Sequence, residues 1–281
     1  MNNCIVHIKG GITLEKILIL GASGLVGKAL CNELKGSYKI YGTYNKNKVS
    51  IDYVEMIKFE IENHHKVLNI LNSYKPNKII ISLTGNYEKQ FNVIKQIVNY
   101  SKETNSIVYF VSTWNVFDAY PKKIYYENDE KFSDTDYGKF KIKVENFLLS
   151  TIENSCVIFR LPMIWGKNSP RLNKLKDDLN NNEPIEVVTN MFLNHNTDKI
   201  LAKQINYILQ NYSKGIFHLG SIDQINHFDF IKNLINKLRY KNVKFKKVQY
   251  GDCPYTVALG SNKHLPKELQ IYVQDIIEDL I

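Results

Sequence analysis

A tyrosine and a lysine stand four residues apart in the segment Tyr137-Gly138-Lys139-Phe140-Lys141. On a helix this spacing places both side chains on one face, where they can contact one ligand. Reduction of a carbonyl by hydride needs a proton for the new alkoxide, and a tyrosine hydroxyl can donate it. A nearby ammonium favours the phenolate that remains, and it can also bind a ribose hydroxyl. The spacing therefore predicts that Tyr137 transfers a proton and that Lys141 assists it.

A pair of hydroxyl residues, Ser112-Thr113, follows an apolar segment that is typical of a buried strand. In open α/β sheets the carboxyl end of such a strand faces the ligand crevice. We expect Thr113 to hydrogen-bond the carbonyl oxygen of a substrate. A Tyr-x-x-x-Lys pattern is frequent by chance in a chain with 18 tyrosines, where it often marks an amphipathic surface helix. The preceding strand end makes a Thr113–Tyr137–Lys141 catalytic set the more specific interpretation.

A glycine-rich turn, Gly21 to Gly27, directly follows the apolar segment Lys16–Leu20. Glycines permit a tight strand-to-helix turn and close approach of the backbone to a pyrophosphate. The helix N-terminus adds unpaired N–H groups and a partial positive charge. The turn therefore predicts dinucleotide binding by five of its residues: Gly21, Ser23, Gly24, Leu25 and Val26.

The second predicted strand, Tyr38–Tyr44, ends in polar and basic residues. An acidic residue there would bind the ribose 2′-hydroxyl of NAD. Thr43, Asn45, Lys46 and Lys48 occur instead, and such groups suit a 2′-phosphate. NADP is therefore the preferred cofactor and NAD the alternative, unless these residues form only a solvated basic loop.

Short apolar runs alternate with segments of helical period, which is the pattern of βαβ units around a parallel sheet. We predict an α/β fold with a Rossmann-type, doubly wound sheet and a smaller C-terminal lobe. The predicted divisions are a leader of unknown role at 1–14, a dinucleotide-binding domain at 15–166, and a mainly substrate-binding lobe at 167–281 from which about 197–219 returns to the sheet. The predicted strands are Lys16–Leu20, Tyr38–Tyr44, Lys78–Leu83, Ile107–Ser112, Cys156–Leu161, Pro184–Val188 and Gly215–Leu219, and the predicted helices are Val26–Lys35, Val67–Tyr74, Phe91–Ser101, Asp136–Ser150, Ser169–Glu183 and Thr197–Gln210.

Composition limits the partners, the cellular location and the cysteine sites that can be expected. The chain has 281 residues, of which 44% are hydrophobic, and a net charge of +9. Its lysines are scattered, so nucleic acid is not expected as a partner. No secretory signal and no membrane-spanning segment is expected, which points to the cytoplasm. The four cysteines, Cys4, Cys31, Cys156 and Cys253, are too widely spaced for a zinc site and are expected to be free thiols.

Together these motifs resemble the extended short-chain dehydrogenase/reductases, and within them the dTDP-4-dehydrorhamnose reductase-like group. The resemblance runs from about Leu14 onward and is strongest up to Gly166. Besides the turn and the catalytic set, the matching residues are Val116-Phe117-Asp118, Tyr126-Glu127, Glu145, Arg160-Leu161-Pro162 and Gly215–Leu219. The resemblance implies reduction of the 4-keto group of a nucleotide-linked deoxysugar with NADPH or NADH. It also implies that Glu60 and Ile61 lie near the adenine, that Leu83-Thr84-Gly85 passes under the cofactor, and that Leu161 contributes to cofactor binding.

Departures from that group fall where its members bind the sugar. Trp114 and Asn115 replace the usual Asp-Tyr, and Met163 replaces a Trp. His195 lies where the group's substrate loop is expected. The substrate contacts predicted here are therefore Thr113, Trp114, Asn115, Met163 and His195, and the sugar itself is not assigned.

Three functions follow from these patterns. The first is the reductase, and the second is a nucleotide-sugar epimerase that oxidises and re-reduces with the same residues. The third is a non-catalytic, NADP-binding regulatory subunit, against which the intact Thr113, Tyr137 and Lys141 set argues. A small-molecule nucleotide-sugar is the expected partner, no bound metal is expected, and a homodimer is left open.

Overall fold

The computed structural model describes residues 5–8, 11–46, 49–120, 122–251, 255–261 and 265–281. The chain divides into two compact units. The first comprises Met1–Ser112, Phe140–Phe159 and Ala202–Ile216, and the second comprises Thr113–Lys139, Arg160–Leu201 and Phe217–Ile281. Each unit is therefore assembled from separate stretches of sequence.

The described strands and helices alternate through the first half of the chain. The strands are β1 (Ile5–Ile8), β2 (Gly11–Leu14), β3 (Lys16–Leu20), β4 (Lys39–Tyr44), β5 (Val54–Lys58), β6 (Lys78–Ile81), β7 (Ile107–Thr113), β8 (Lys122–Tyr125), β9 (Cys156–Leu161), β10 (Met163–Trp165), β11 (Ile185–Val188), β12 (Met191–Leu193), β13 (His195–Thr197), β14 (Gly215–His218), β15 (Ile225–Asn226), β16 (Phe245–Val248) and β17 (Tyr255–Leu259). The helices are α1 (Leu25–Leu34), α2 (Lys66–Tyr74), α3 (Tyr87–Thr104), α4 (Asp136–Ile152), α5 (Pro170–Asn180), α6 (Asp198–Asn211), α7 (His227–Lys237) and α8 (Val273–Asp279).

Within the described residues, seven strands form one sheet in the order β14-β9-β7-β6-β3-β4-β5. The pairs β3–β4, β4–β5, β3–β6 and β6–β7 are parallel. The chain moves outward from β3 in one direction to β4 and β5, then in the other to β6 and β7. This reversal between β3 and β6 is the switch point at which doubly wound folds bind ligands. The predicted Rossmann-type fold is confirmed.

The central strands are mostly apolar because helices cover both faces of a parallel sheet. In β6 and β9 every residue is buried. Helix α4 contributes Phe140, Val144 and Leu148 to the same core, at the spacing of one helix face. These residues fix the rotation of α4 about its axis, and this rotation determines where its polar residues point.

The second unit has its own sheets and its own core. A four-stranded sheet has the order β15-β12-β17-β8, and two parallel pairs join β10 to β13 and β11 to β16. Helices α5, α7 and α8 enclose an apolar core around Trp165 and Phe230. Strand β10 contributes Trp165 to this core, and Met163 of the same strand packs against the core.

Several expectations need correction. Strands β5 and β8 were not predicted, and the last third holds β15, β16 and β17 where only helix and loop were expected. The stretch 1–14 contains an antiparallel pair, β1 and β2, in its described part. The expected boundary after Gly166 does not match the units, because Thr113–Lys139 and Arg160–Gly166 already belong to the second. Of the stretch 197–219, Ala202–Ile216 belongs to the first unit, and β14 lies in the seven-stranded sheet.

Cys31 and Cys156 are buried free thiols, whereas Cys4 and Cys253 lie outside the described residues. In the part of the chain that the structure describes, no helix is long and apolar enough to cross a membrane.

Candidate active site

The turn between β3 and α1 accepts only glycine at two positions. Gly21 has a φ of +90°, and a Cβ there would clash with the carbonyl oxygen of Ser82. A Cβ on Gly27 would clash with the carbonyl oxygen of Gly21 and lie 2.6 Å from the Cα of Ala22. The first turn of α1 is thereby held close to the residues that follow β3, and backbone atoms occupy the space that the two side chains would need.

This turn has the features that a pyrophosphate requires. The N–H of Gly24 donates to the Gly21 carbonyl at 3.0 Å, which closes the turn. Gly24 caps α1 without a side-chain hydrogen bond, and the first turn of this described helix has no acidic residue. Its N–H groups and the positive end of the helix dipole therefore suit an anion. The predicted residues Ser23, Leu25 and Val26 lie in the same turn and are partly accessible.

The residues at the end of β4 that are predicted to bind a 2′-phosphate are of two kinds, one buried and the others exposed. Thr43 is 2% exposed, and its Oγ1 accepts a 2.9 Å hydrogen bond from the N–H of Gly21. Its hydroxyl therefore stabilises the turn. Asn45 and Lys46 are exposed at the end of the strand, and Lys48 lies outside the described residues.

The segments predicted to lie beside the rest of a cofactor lie at the ends of β5 and β6. Ile61 is buried, and its Cδ1 would lie 2.8 Å from a Cβ on Gly85, whose φ is +115°. Leu83 is half-buried, and Thr84 is exposed. The exposed carboxylate of Glu60 pairs with Lys58 at 2.9 Å, and the hydrogen bond from Lys58 lowers the pKa of Glu60.

Lys141 occupies a buried position on α4 in the first unit. It is 5% exposed, and its Nζ donates to the carbonyl oxygen of Val111 at 2.7 Å. The ammonium also lies 4.5 Å from the ring centroid of Phe110, a cation–π contact. Burial lowers the pKa of Lys141 to about 8, and the charge of Glu145 opposes that effect. The lysine is therefore positioned by β7, and with a pKa of about 8 it remains mainly an ammonium at neutral pH.

In the second unit a chain of hydrogen bonds connects Thr113 to the start of α4. The Thr113 hydroxyl donates to Oδ1 of Asn115 at 2.9 Å, and Nδ2 of Asn115 donates to Asp118 at 3.2 Å. The hydroxyl of Thr135 donates to the same Asp118 carboxylate at 2.8 Å and accepts from the N–H of Gly138 at 3.1 Å. Thr135 is thus the N-cap of α4. The helix start and Thr113 are held in one network.

Tyr137 lies in the first turn of α4, four residues before Lys141 on the same helix. As a whole residue it is 40% exposed. Gly138 follows it at a place where a Cβ would clash with Ser133 and with the carbonyl oxygen of Asn115. This close approach fixes the first turn against the residues that follow Thr113.

The predicted substrate residues are placed differently from one another. Trp114 and Asn115 are half-buried in the 3₁₀ turn after β7. Met163 is half-buried in β10 and is the register partner of His195 in β13. His195 is 0% exposed, stacks on Phe230 at 3.8 Å, and accepts a 3.1 Å hydrogen bond from Trp165. Its burial favours a packing role over ligand contact.

Leu161, the last residue of β9, is buried within the second unit. Beside it, Arg160 donates to the carbonyl oxygen of Glu127 at 3.0 Å and contacts Nε2 of His218 at 3.2 Å. The other ring nitrogen of His218 contacts the carbonyl oxygen of Gly260 at 2.7 Å. A carbonyl accepts only, so His218 carries its proton on Nδ1 and accepts from Arg160.

Three contributors were missed or set aside by the sequence analysis. Asp118 joins Thr135 to Asn115, and Thr135 caps α4. A Thr directly before the predicted helix start is an N-cap signal that could have identified Thr135. Glu145 carried part of the resemblance but was given no role in the site, yet it is fully buried and its charge raises the pKa of Lys141. Among the described residues, no group of three or more His, Cys, Asp or Glu could hold a metal ion.

A family model and a curated protein match this chain in sequence. Residues 15–265 match the family model described as the RmlD substrate binding domain. A curated dTDP-4-dehydrorhamnose reductase from Aggregatibacter actinomycetemcomitans is 27% identical over 168 residues, which are 55% of this chain and 53% of that protein. The chain therefore matches about half the length of this relative.

Solved structures share the fold over nearly the whole chain. The dTDP-4-dehydrorhamnose reductase of Bacillus anthracis in complex with NADP superposes with a TM-score of 0.79 at 20% identity, covering 96% of this chain and 99% of that one. The UDP-glucuronic acid 4-epimerase of Bacillus cereus in complex with NAD superposes with a TM-score of 0.74 at 16% identity, covering 94% and 99%.

Proposed function

Because the chain belongs to the RmlD substrate binding domain family, we propose that it reduces the keto group of a nucleotide-linked deoxysugar with a nicotinamide cofactor. The observation that carries the proposal is helix α4. It carries the exposed Tyr137 one turn before the buried Lys141. The name of the Aggregatibacter relative, a dTDP-4-dehydrorhamnose reductase, supports the same reaction class.

The residues of the turn after β3 fit the cofactor. Gly21 and Gly27 let the turn pack tightly against neighbouring backbone, and α1 begins there with no side-chain cap and no acidic residue in its first turn. We assign the pyrophosphate to the backbone of Gly21, Ser23, Gly24, Leu25 and Val26. When bound, the reduced nicotinamide supplies a hydride to the carbonyl carbon.

Further cofactor contacts are proposed at the neighbouring strand ends. Glu60 and Ile61 are assigned to the adenine side. Leu83, Thr84, Gly85 and Leu161 are assigned to the nicotinamide half, together with the ribose contact of Lys141. Ile61 and Gly85 support this assignment, since they already pack against each other.

Proton delivery is assigned to Tyr137. Its hydroxyl donates a proton to the alkoxide oxygen as the carbonyl is reduced. Lys141 stays positively charged beside it and stabilises the phenolate that is left. The carbonyl oxygen of Val111 and the ring of Phe110 hold that ammonium in place.

Thr113 is assigned to orient the substrate carbonyl. In the structure its hydroxyl proton is directed to Asn115, so the hydroxyl must rotate before it can donate to a substrate. Trp114, Asn115, Met163 and His195 remain proposed substrate residues, and the buried position of His195 supports an indirect effect through Trp165. Because Trp114 and Met163 differ from the usual residues of the group, the sugar is not named.

Replacing Tyr137 by Phe tests the mechanism. We expect turnover to fall by about a thousandfold, since general acid catalysis contributes on that order, while affinity for NADPH changes little. Turnover is measured by NADPH absorbance with a panel of dTDP-, UDP-, GDP- and CDP-linked keto-sugars. Tyr126→Phe is the matched control, because Tyr126 is also an exposed tyrosine of the second unit.

Retained turnover in the Tyr137→Phe variant would contradict the proton-donor assignment. Binding of NADPH without turnover of any sugar in the panel would instead favour the non-catalytic subunit. Both measurements use the intact chain.

An epimerase is the second candidate, and the likeness to the UDP-glucuronic acid 4-epimerase complex with NAD favours it. An epimerase returns its hydride to the substrate, so its cofactor is not consumed. A dinucleotide that stays bound through purification, together with sugar interconversion without net NADPH oxidation, would select this function.

Preference for NADP, a homodimer and a cytoplasmic location complete the proposal. The exposed Asn45 and Lys46 support the preference for NADP. Light scattering tests whether the protein is a homodimer. The buried free thiols of Cys31 and Cys156 agree with a cytoplasmic location, since reducing compartments keep such thiols unpaired.

A further inference from the structure

Helix α4 carries a third polar residue on the face that bears Tyr137 and Lys141. Glu145 follows Lys141 by one turn and is 0% exposed. The hydroxyl of Ser112, at the end of β7, donates to its Oε1 at 2.5 Å. A buried carboxylate is costly unless charge and hydrogen bonds compensate it. The position of Glu145 therefore needs an explanation beyond packing.

The groups around Lys141 identify Glu145 as the anion that acts on it. Strand β7 contributes a neutral carbonyl and the Phe110 ring. Strand β9 contributes Cys156 on the side of Glu145, and its thiol stays neutral because burial, and secondly the charge of Glu145, raise its pKa to about 12. Helix α3 contributes two titratable side chains near this part of α4: Tyr87, which stacks on Phe140 at 4.7 Å, and Tyr100, which is buried in the same apolar core.

Two effects on Lys141 oppose each other. Burial disfavours the ammonium and brings the pKa of Lys141 down to about 8, and the Glu145 carboxylate raises it. Without that carboxylate the lysine would lose its proton at a lower pH. The neutral amine would neither stabilise a phenolate nor bind a ribose hydroxyl as strongly.

We propose that Glu145 is a positioning residue that keeps Lys141 an ammonium at working pH and, through Ser112, fixes the end of β7 where Thr113 follows. This inference rests on the proposed function, because it assigns Lys141 a contact with the cofactor ribose. Glu145 itself lies one turn beyond Lys141 and acts through it.

The test is the pH dependence of NADPH binding in wild type and in Glu145→Gln. Gln keeps an oxygen that can accept from Ser112 but removes the charge. Binding is followed by NADPH fluorescence between about pH 6.5 and pH 10, which spans the change expected for a buried lysine. We expect wild-type affinity to fall with a midpoint near 8, and the midpoint of the variant to lie lower by about one pH unit.

Two controls separate charge from structure. Ser112→Ala removes the hydrogen bond and leaves the carboxylate, so its midpoint should stay close to that of wild type. Glu103→Gln makes the same change of net charge at an exposed position of α3 and should leave the curve unchanged. The alkaline limb of kcat/KM, measured with an active sugar, should shift as the binding curve does.

The outcomes distinguish failure of the proposed function from failure of the role assigned to Glu145. A wild type that binds neither NADPH nor NADH overturns the proposed function. A wild-type curve without an alkaline fall, or a Glu145→Gln midpoint equal to that of wild type, overturns the role of Glu145. If Glu145→Gln does not fold, Glu145→Asp withdraws the charge by one methylene, and a midpoint that does not move downward overturns the inference equally.

Discussion

At the scale of single residues, Thr43 and Lys46 have different environments, which the sequence could not distinguish. Both lie at the end of β4, where a 2′-phosphate would be recognised. The Thr43 hydroxyl accepts from Gly21 and is buried, so it stabilises the turn. Lys46 is exposed, and its charge acts on Glu60. If a 2′-phosphate is recognised here, we expect its contacts to come from Lys46 and its neighbour Asn45.

Lys46→Glu should reverse the cofactor preference. Replacing a cation by an anion beside a 2′-phosphate should weaken NADPH binding by about tenfold or more, whereas NADH lacks the phosphate and should bind nearly as before. Dissociation constants for both cofactors, measured by fluorescence, test this. Lys102→Glu, an exposed charge reversal in α3, is the control. Equal losses for NADPH and NADH would contradict a role in selecting the 2′-phosphate.

The placement of Tyr137 and Lys141 on one helix was predictable from their spacing, whereas their catalytic role stays a prediction. Tyr137 and Lys141 lie on one helix, and the helix period alone brings them together. The role of Asp118 was not predictable, because it joins Asn115 to Thr135 across a long stretch of sequence. The burial of Glu145 was also hidden, since a charged residue on a helix is ordinarily a surface residue.

At the scale of elements, the turn between β3 and α1 depends on one close approach. Gly27 faces backbone atoms of Gly21 and Ala22, which cannot move aside as a flexible side chain could. Gly24 has a φ of −78°, and a Cβ there would lie 3.3 Å from the Gly21 carbonyl oxygen. The two glycines therefore differ in what they tolerate.

Gly27→Ala should destabilise the protein by about 1–3 kcal/mol, the usual cost of overpacking a tight contact, and should weaken NADPH binding at least as strongly. Gly24→Ala is the matched control and should cost about 1 kcal/mol or less, as expected for an N-cap glycine. Urea unfolding and NADPH titration measure both effects. An unchanged stability in Gly27→Ala would show that the turn is not as tight as described.

Elements were predictable where burial is complete. Strands β3, β6, β7 and β9 are near-continuous apolar runs, because both faces of the sheet are covered. Strand β5 was missed because it is the edge of the sheet and alternates polar with apolar residues in a short segment. Strand β8 begins with two lysines, and its pairing with β17 joins distant stretches of the chain.

At the scale of the whole molecule, the units interleave along the sequence. The chain leaves the first unit after Ser112, returns at Phe140, leaves again after Phe159 and returns at Ala202. A boundary read from composition falls at one place, such as Gly166. Pairings between distant strands determine the true division, and composition does not encode them.

Acid stability is a property of the whole molecule that follows from two buried histidines. Burial lowers the pKa of His195 well below its usual value, and burial together with the nearby Arg171 lowers that of His227 to about 4. The unfolded chain binds these protons at higher pH than the folded protein does. The stability that these two neutral histidines contribute is therefore fully present above about pH 6.5, and it is lost progressively as the pH falls toward 4.

His227→Asn should reduce this loss. The Nδ1 of His227 accepts from the N–H of Val188 at 3.2 Å, and the asparagine oxygen can replace that acceptor. Between pH 7 and pH 5 the wild type should lose at most about 2 kcal/mol more than the variant, by linkage with the shifted pKa. Urea unfolding at both pH values measures the difference, with His65→Asn as an exposed control that should follow wild type. Identical pH slopes for His227→Asn and wild type would mean that His227 is protonated as readily in the folded protein as in the unfolded chain.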